Sequence, residues 1–229
     1  MPFDTYTNLL VSLDNYLGQR VELQPIYPDF VSLAERRMYR DVRAREMIRR
    51  TVALLNETWK WLPVDFIKAR RVTANPGMQT NTAFTSVRLT GMSTGQLEAQ
   101  YVGQAEYPMP EAYAIEGMQI RFAPALSTQS LPSGILDPTQ YRNFEIVYYA
   151  RFPALDATDT PTNVVLDTYP ELYLYGALIE AEPYLIDDQR IAVWKGMYDD
   201  AVNRINLMAE YDVASALTMG VAGDGQYMP

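Results

Sequence analysis

The sequence predicts an α+β protein, a helical bundle formed by the N- and C-terminal helices with a β-rich middle subdomain. Three observations predict it. Apolar residues recur at helical spacing near both ends, at Leu9, Leu10, Leu13 and Leu17 and again at Ile191, Trp194, Tyr198, Val202, Ile205 and Ala209. Between them, NFEIVYYARF alternates Phe144, Ile146, Tyr148, Ala150 and Phe152 with Glu145, Val147, Tyr149 and Arg151, the period of a strand with one face in a core. The rest of the middle is cut by Gly and Pro into short segments. The expected organisation is N-terminal helices over residues 1–58, a β-rich subdomain over 59–155, a helical hairpin over 156–212 that completes the helical body, and a flexible arm over 213–229.

The first helix spans about residues 5–17 and stops at Gly18, which suits a C-terminal cap. After the loop around Pro25, Asp29 is expected to cap a long helix from about Phe30 to Leu55. On a helical projection Phe30, Ala34, Met38, Val42 and Ile48 share one face, and Arg36, Arg40, Arg43 and Arg50 form a stripe on the other. The stripe reads either as a solvated face or as a partner contact. Arg37, Asp41 and Arg45 follow at i, i+4 and i+8, the spacing of an internal ion network.

From Trp59 the pattern turns β-prone, and NPG at 75–77 is turn chemistry. Strands are expected around 84–89, 112–115, 118–122 and 143–152, and Ser93 with Gln96 forms a capping box for a helix near 94–102. STQSLPSGILDPTQ is a polar loop of a length that signals function or contact.

In YPELYLYGALIEAEPYLIDDQRIAVWKGMYDD, residues 169–200, Pro170 suits a first helical position, Pro183 disturbs the helix end, and Asp187 and Asp188 cap the next helix. The first of these helices is apolar nearly all round, which predicts burial on several sides, within a small bundle or against another subunit. The predicted core is Phe30, Met38, Val42, Tyr173, Leu178, Trp194, Tyr198 and Ile205. Beyond Ala209 the pattern fades, and GVAGDGQYMP is either an idle terminus or an arm that orders on a partner.

Composition narrows the chemistry. The chain has no cysteine and no histidine, which removes disulfides, thiolate metal sites, the commonest metal ligand and the usual general base near neutral pH. No GxxxxGK[ST], GxGxxG or GxSxG motif occurs. The doublets Asp187-Asp188 and Asp199-Asp200 diverge on a helix and read as capping and solvated positions rather than a metal or acid/base pair. No apolar run reaches the roughly 20 residues of a membrane span, and the start lacks the basic-then-apolar order of a secretory signal.

Charge is uneven. Residues 30–71 hold 11 basic and five acidic residues, and residues 152–229 hold three basic and 13 acidic. Such opposed segments either neutralise each other within one chain or meet across subunits in a head-to-tail contact. The net charge of −9 and a pI of about 4.6 argue against sequence-specific DNA binding.

VSLAERRMYRDVRAREM (31–47), WLPVDFIKARRV (61–72), YYARFPAL (148–155) and YPELYLYGALIEAEPYLIDDQRIAVWKGMYDDAV (169–202) resemble, in this order, head-tail adaptor proteins of tailed bacteriophages. The resemblance implies a non-enzymatic structural protein without cofactors. It also implies a ring, usually twelvefold, in the virion neck below the portal, made and assembled in the host cytoplasm. The implied partners are the portal protein, a tail or nozzle protein and the chain itself, with DNA passing through the channel without sequence-specific binding and no membrane contact. On this reading Arg36, Arg40, Arg43, Arg50, Asp199 and Asp200 are candidates for the subunit or partner interface, and Gly220, Asp224, Tyr227, Met228 and Pro229 for a portal-contacting arm. The alternatives are a head-completion or neck protein of another tail type, and a carboxylate-dependent virion enzyme whose two carboxylates come from distant segments.

Overall fold

A computed structural model describes residues 4–75, 87–106, 109–126, 143–185 and 189–219, the last helix with side chains to Ala209. The chain divides into two compact units, one of residues 1–47 with 152–229 and one of residues 48–151.

In the first unit, helix α1 (Tyr6–Tyr16) is capped by Thr5, whose hydroxyl accepts from the Asn8 amide, and Gly18 follows it at φ 76°. Helix α2 (Tyr27–Asp41) carries Pro28 in its first turn; Asp29 lies inside that turn, and the N-cap is Ile26. Helix α4 (Val164–Thr168) is capped by Asn163, and α5 (Pro170–Glu180) begins on its proline. A 3₁₀ turn over Glu182–Tyr184 then leads toward α6 (Arg190–Met219).

Helix α5 contacts α1, α2, α4 and α6, so its apolar residues on several sides all find neighbours. Phe30, Met38, Val42, Tyr173, Leu178, Trp194, Tyr198 and Ile205 are all buried. The predicted caps Asp187 and Asp188 lie outside the described residues.

Two boundaries differ from the sequence reading. The helix expected over 30–55 ends at Asp41, with Val42 extended; a 3₁₀ turn follows at Arg45–Met47 and then strand β1 (Ile48–Leu54). In this strand Ile48 falls on the apolar face of the helical projection but Arg50 and Leu54 do not, and pairing along a neighbouring strand overrides the helical spacing. The unit boundary therefore falls at 47/48 rather than 58/59. At the other end α6 continues to Met219, past the expected start of the arm at 213. Val213, Ala214, Ala216, Leu217 and Met219 include no helix breaker, and the next glycine is Gly220.

The second unit holds β1, β2 (Trp59–Trp61), β3 (Phe66–Asn75), β4 (Val87–Arg88), β5 (Thr90–Gly91), α3 (Thr94–Tyr101), β6 (Ala112–Glu116), β7 (Gln119–Ala123) and β8 (Asn143–Ala150). They form two four-stranded sheets, ordered β1-β8-β3-β4 and β2-β7-β6-β5, antiparallel except for the β5–β6 pair. Helix α3 has the expected capping box, with Ser93 and Gln96 bonding each other's backbone.

Phe144, Ile146, Tyr148 and Ala150 of β8 enter one core with Phe66, Val72, Ala74, Ile120 and Phe122. Phe152, read as the next inward residue of that strand, belongs instead to the helical unit, its ring 4.7 Å from that of Tyr39. The polar loop at 127–140 and the glycine turn after Asn75 lie outside the described residues. Among the described residues, no helix is long and apolar enough to cross a membrane.

Candidate interaction surfaces

The helical unit is pinned by polar groups that sequence spacing does not reveal. Glu35, 5% exposed, accepts hydrogen bonds through one oxygen from the Leu155 amide at 2.8 Å and the Tyr173 hydroxyl at 3.1 Å. The Asn163 side-chain amide donates to the Tyr173 oxygen at 2.7 Å and to the Pro153 carbonyl at 2.8 Å, while its own oxygen caps α4. Burial pushes the Glu35 carboxyl up from its ordinary range, and the two hydrogen bonds it accepts oppose that shift. Burial, and then the neighbouring carboxylate, push Tyr173 up as well. No cation neutralises this cluster among the described contacts, so it serves to hold residues 153–163 against α2 and α5.

A second set of bonds ties the end of α2 to α6. The Asn206 side chain donates to the Asp41 carbonyl at 2.9 Å and accepts from the Arg43 amide at 2.7 Å, and the Tyr198 hydroxyl donates to the Asp41 carboxylate at 3.4 Å. Arg37 pairs with Glu180 at 2.5 Å, and Arg45 with its neighbour Glu46 at 3.7 Å. The expected Arg37–Asp41–Arg45 network is therefore not one network: each member turns to a different partner, and Arg45 lies past the end of the helix at Asp41.

The same ending dissolves the arginine stripe. Arg36 and Arg40 remain exposed on α2. Arg43 lies past the helix, where its guanidinium donates to the Tyr39 and Val42 carbonyls and satisfies the open end of α2. Arg50 stands on β1, in the other unit, paired with Glu145.

Asp199 and Asp200 are exposed on α6, Asp200 paired with Arg204 one turn on. On the side of α6 opposite the buried Trp194, Tyr198, Val202, Ile205 and Ala209, Val193 and Leu207 are exposed along with Asp200, while Met197 and Met208 are exposed on one flank and Asp199 on the other. This outer face mixes large apolar side chains with carboxylates. The arm candidates Gly220, Asp224, Tyr227, Met228 and Pro229 lie outside the described residues.

Asn163 was missed although its signal was present: a cap residue followed by Val-Val-Leu-Asp, with an acid in the first turn. Glu35 had none, since it precedes two arginines in an otherwise ordinary helix. Among the described residues no group of three His, Cys, Asp or Glu side chains is placed to hold a metal ion.

Of the two buried carboxylates among the described residues, Glu35 ties elements of the helical unit together and Glu145 ties strands of the sheet. The family model described as SU10 adaptor protein matches residues 4–220, and the chain belongs to that family. It is a bacteriophage adaptor, a virion component that interacts with other components of the particle. No curated protein gives a significant match to the sequence.

Proposed function

We propose that this chain is a head-tail adaptor that forms a ring, through a repeated head-to-tail contact, between the portal protein and a tail or nozzle protein in the virion neck. Twelve copies suit the usual symmetry of such adaptors. The family match over residues 4–220 carries the reading. Two surfaces supply the means. The outer face of α6 offers Val193 and Leu207 with Asp200, flanked by Met197 and Asp199, and α2 offers Arg36 and Arg40. A heterologous contact between unlike faces repeats around a closed ring.

The helical unit holds nine basic and 20 acidic residues, a net −11. Lining the channel with such a surface lets DNA slide, since phosphate binding grows with the number of basic contacts. Residues 220–229 would extend along the portal. Imaging of the purified virion tests the reading: density for this chain as a collar between portal and tail supports it, and density elsewhere removes it. Reversal of Arg36 and Arg40 to Glu is expected to weaken ring assembly about tenfold at low salt, with the loss shrinking at high salt. Assembly unchanged by the reversal, read by sedimentation, returns both arginines to a solvated face.

A further inference from the structure

One face of the β1-β8-β3-β4 sheet carries a cationic surface that the ring contact above does not use. Register aligns Ile48, Tyr149 and Lys68 in one row, Arg50, Val147 and Arg71 in the next, and Val52, Glu145, Thr73 and Arg88 in a third. Successive residues of a strand point to opposite sides, so these rows share the face turned away from Phe144, Ile146 and Tyr148.

Glu145 is 7% exposed, and its carboxylate takes Arg50 from one neighbouring strand and Arg71, at 3.2 Å, from the other. The two arginine side chains nevertheless stay 68% and 52% exposed. A carboxylate gripped from both sides orients the two guanidinium groups and leaves their outer N–H donors available. Lys68 and Arg88 are exposed and form no ion pair among the described residues. Two cations thus grip one buried anion, and two more stand on the same face of the sheet.

An anionic partner is implied, and two kinds exist: a phosphate backbone or an acidic protein surface. The observations favour protein. Val52 and Leu54 are exposed along β1, beside the cations, and apolar side chains contribute to a protein contact but not to a phosphate one. The chain itself supplies a surface of matching character in its helical unit, where exposed Asp200 shares a side of α6 with Val193 and Leu207 and Asp199 is exposed next to it in sequence.

We propose that the Lys68–Arg71–Arg88 face of one copy docks the acidic outer face of α6 on a second copy. The proposal rests on the ring reading and adds this sheet face to Arg36 and Arg40 as a second cationic surface for the α6 face of a neighbouring copy.

The test is sedimentation of the full chain over a concentration series at low and high salt, comparing wild type with Lys68→Glu/Arg88→Glu. Wild type is expected to self-associate more weakly as salt rises; the double variant raises the dissociation constant about tenfold at low salt and flattens that dependence. Mixing it with Asp199→Lys/Asp200→Lys is expected to restore association. If the reversed chain does not fold, as judged by circular dichroism, Lys68→Gln/Arg88→Gln replaces it, with a smaller loss expected.

A double variant that associates as tightly as wild type overturns the proposal, as does a wild type that stays monomeric at low salt. Loss of duplex-DNA retention in the variant with unchanged self-association also overturns it and assigns the face to nucleic acid. Neck images showing the ring while the variant still associates leave the adaptor reading standing and this face wrong. A neck without the chain removes the adaptor reading itself.

Discussion

Replacing Glu35 by alanine is expected to destabilise the helical unit by about 3 kcal/mol, because the Leu155 amide and the Tyr173 hydroxyl would each lose a buried acceptor. Tyr173 also accepts from Asn163, so the loss would spread to the loop that precedes α4. Glutamine separates hydrogen bonding from charge. Its side-chain oxygen can keep both bonds, while the carboxylate that burial disfavours is gone.

The pH dependence follows from the direction of the Glu35 shift. Its folded carboxyl is raised above the unfolded value, so the folded state binds more protons between the two. The contribution of this group to stability is fully present below the unfolded value and is lost as pH rises through the folded one. Urea denaturation at several pH values should show wild type losing stability over that interval and Glu35→Gln losing less. A glutamine variant with the wild-type pH slope would show that Glu35 does not carry this dependence.

Legibility in the sequence followed the range of the interactions. Helix α1 with Gly18, the proline at the start of α5 and the Ser93–Gln96 box are each decided by residues within one or two turns, and the structure has them where spacing put them. Strand β8 was readable because its alternation was long and its inward residues large. The segment after Asp41 was not, since its few apolar residues follow no clean alternation and only pairing with β8 settles it. Everything built on the false helix went with it, including the shared face of Arg36, Arg40, Arg43 and Arg50.

The polar clusters were illegible for a different reason. Glu35 finds partners 120 and 138 residues away, and Glu145 binds arginines 95 and 74 residues back. No local spacing records such pairings. The exposed side of α6, by contrast, follows from its helical period once the buried side is known, and Asp199 and Asp200 are exposed there as solvated positions.

Among the described glycines of the helical unit Gly176 has the least room, and Gly176→Val is expected to cost about 3 kcal/mol. A Cβ at this position would lie 3.1 Å from the Ala34 Cβ and 3.5 Å from the Tyr198 ring. Helices α2 and α5 thus approach through two of the smallest side chains, one on each. Alanine would gain about 1 kcal/mol of helix propensity over glycine, roughly offset by the small displacement of Ala34. Valine adds two further methyl groups that must move either α2 or the Tyr198 ring, and the ring is tied through its hydroxyl to Asp41. Thermal denaturation should therefore place Gly176→Ala near wild type and Gly176→Val well below it. Adding Ala34→Gly should recover part of the valine loss, because it opens space at the point of collision; coupling of at least about 0.5 kcal/mol between the two sites is expected for residues in contact. If valine melts with wild type, or if Ala34→Gly only adds to its cost, the close approach of α2 and α5 does not limit the packing of this unit.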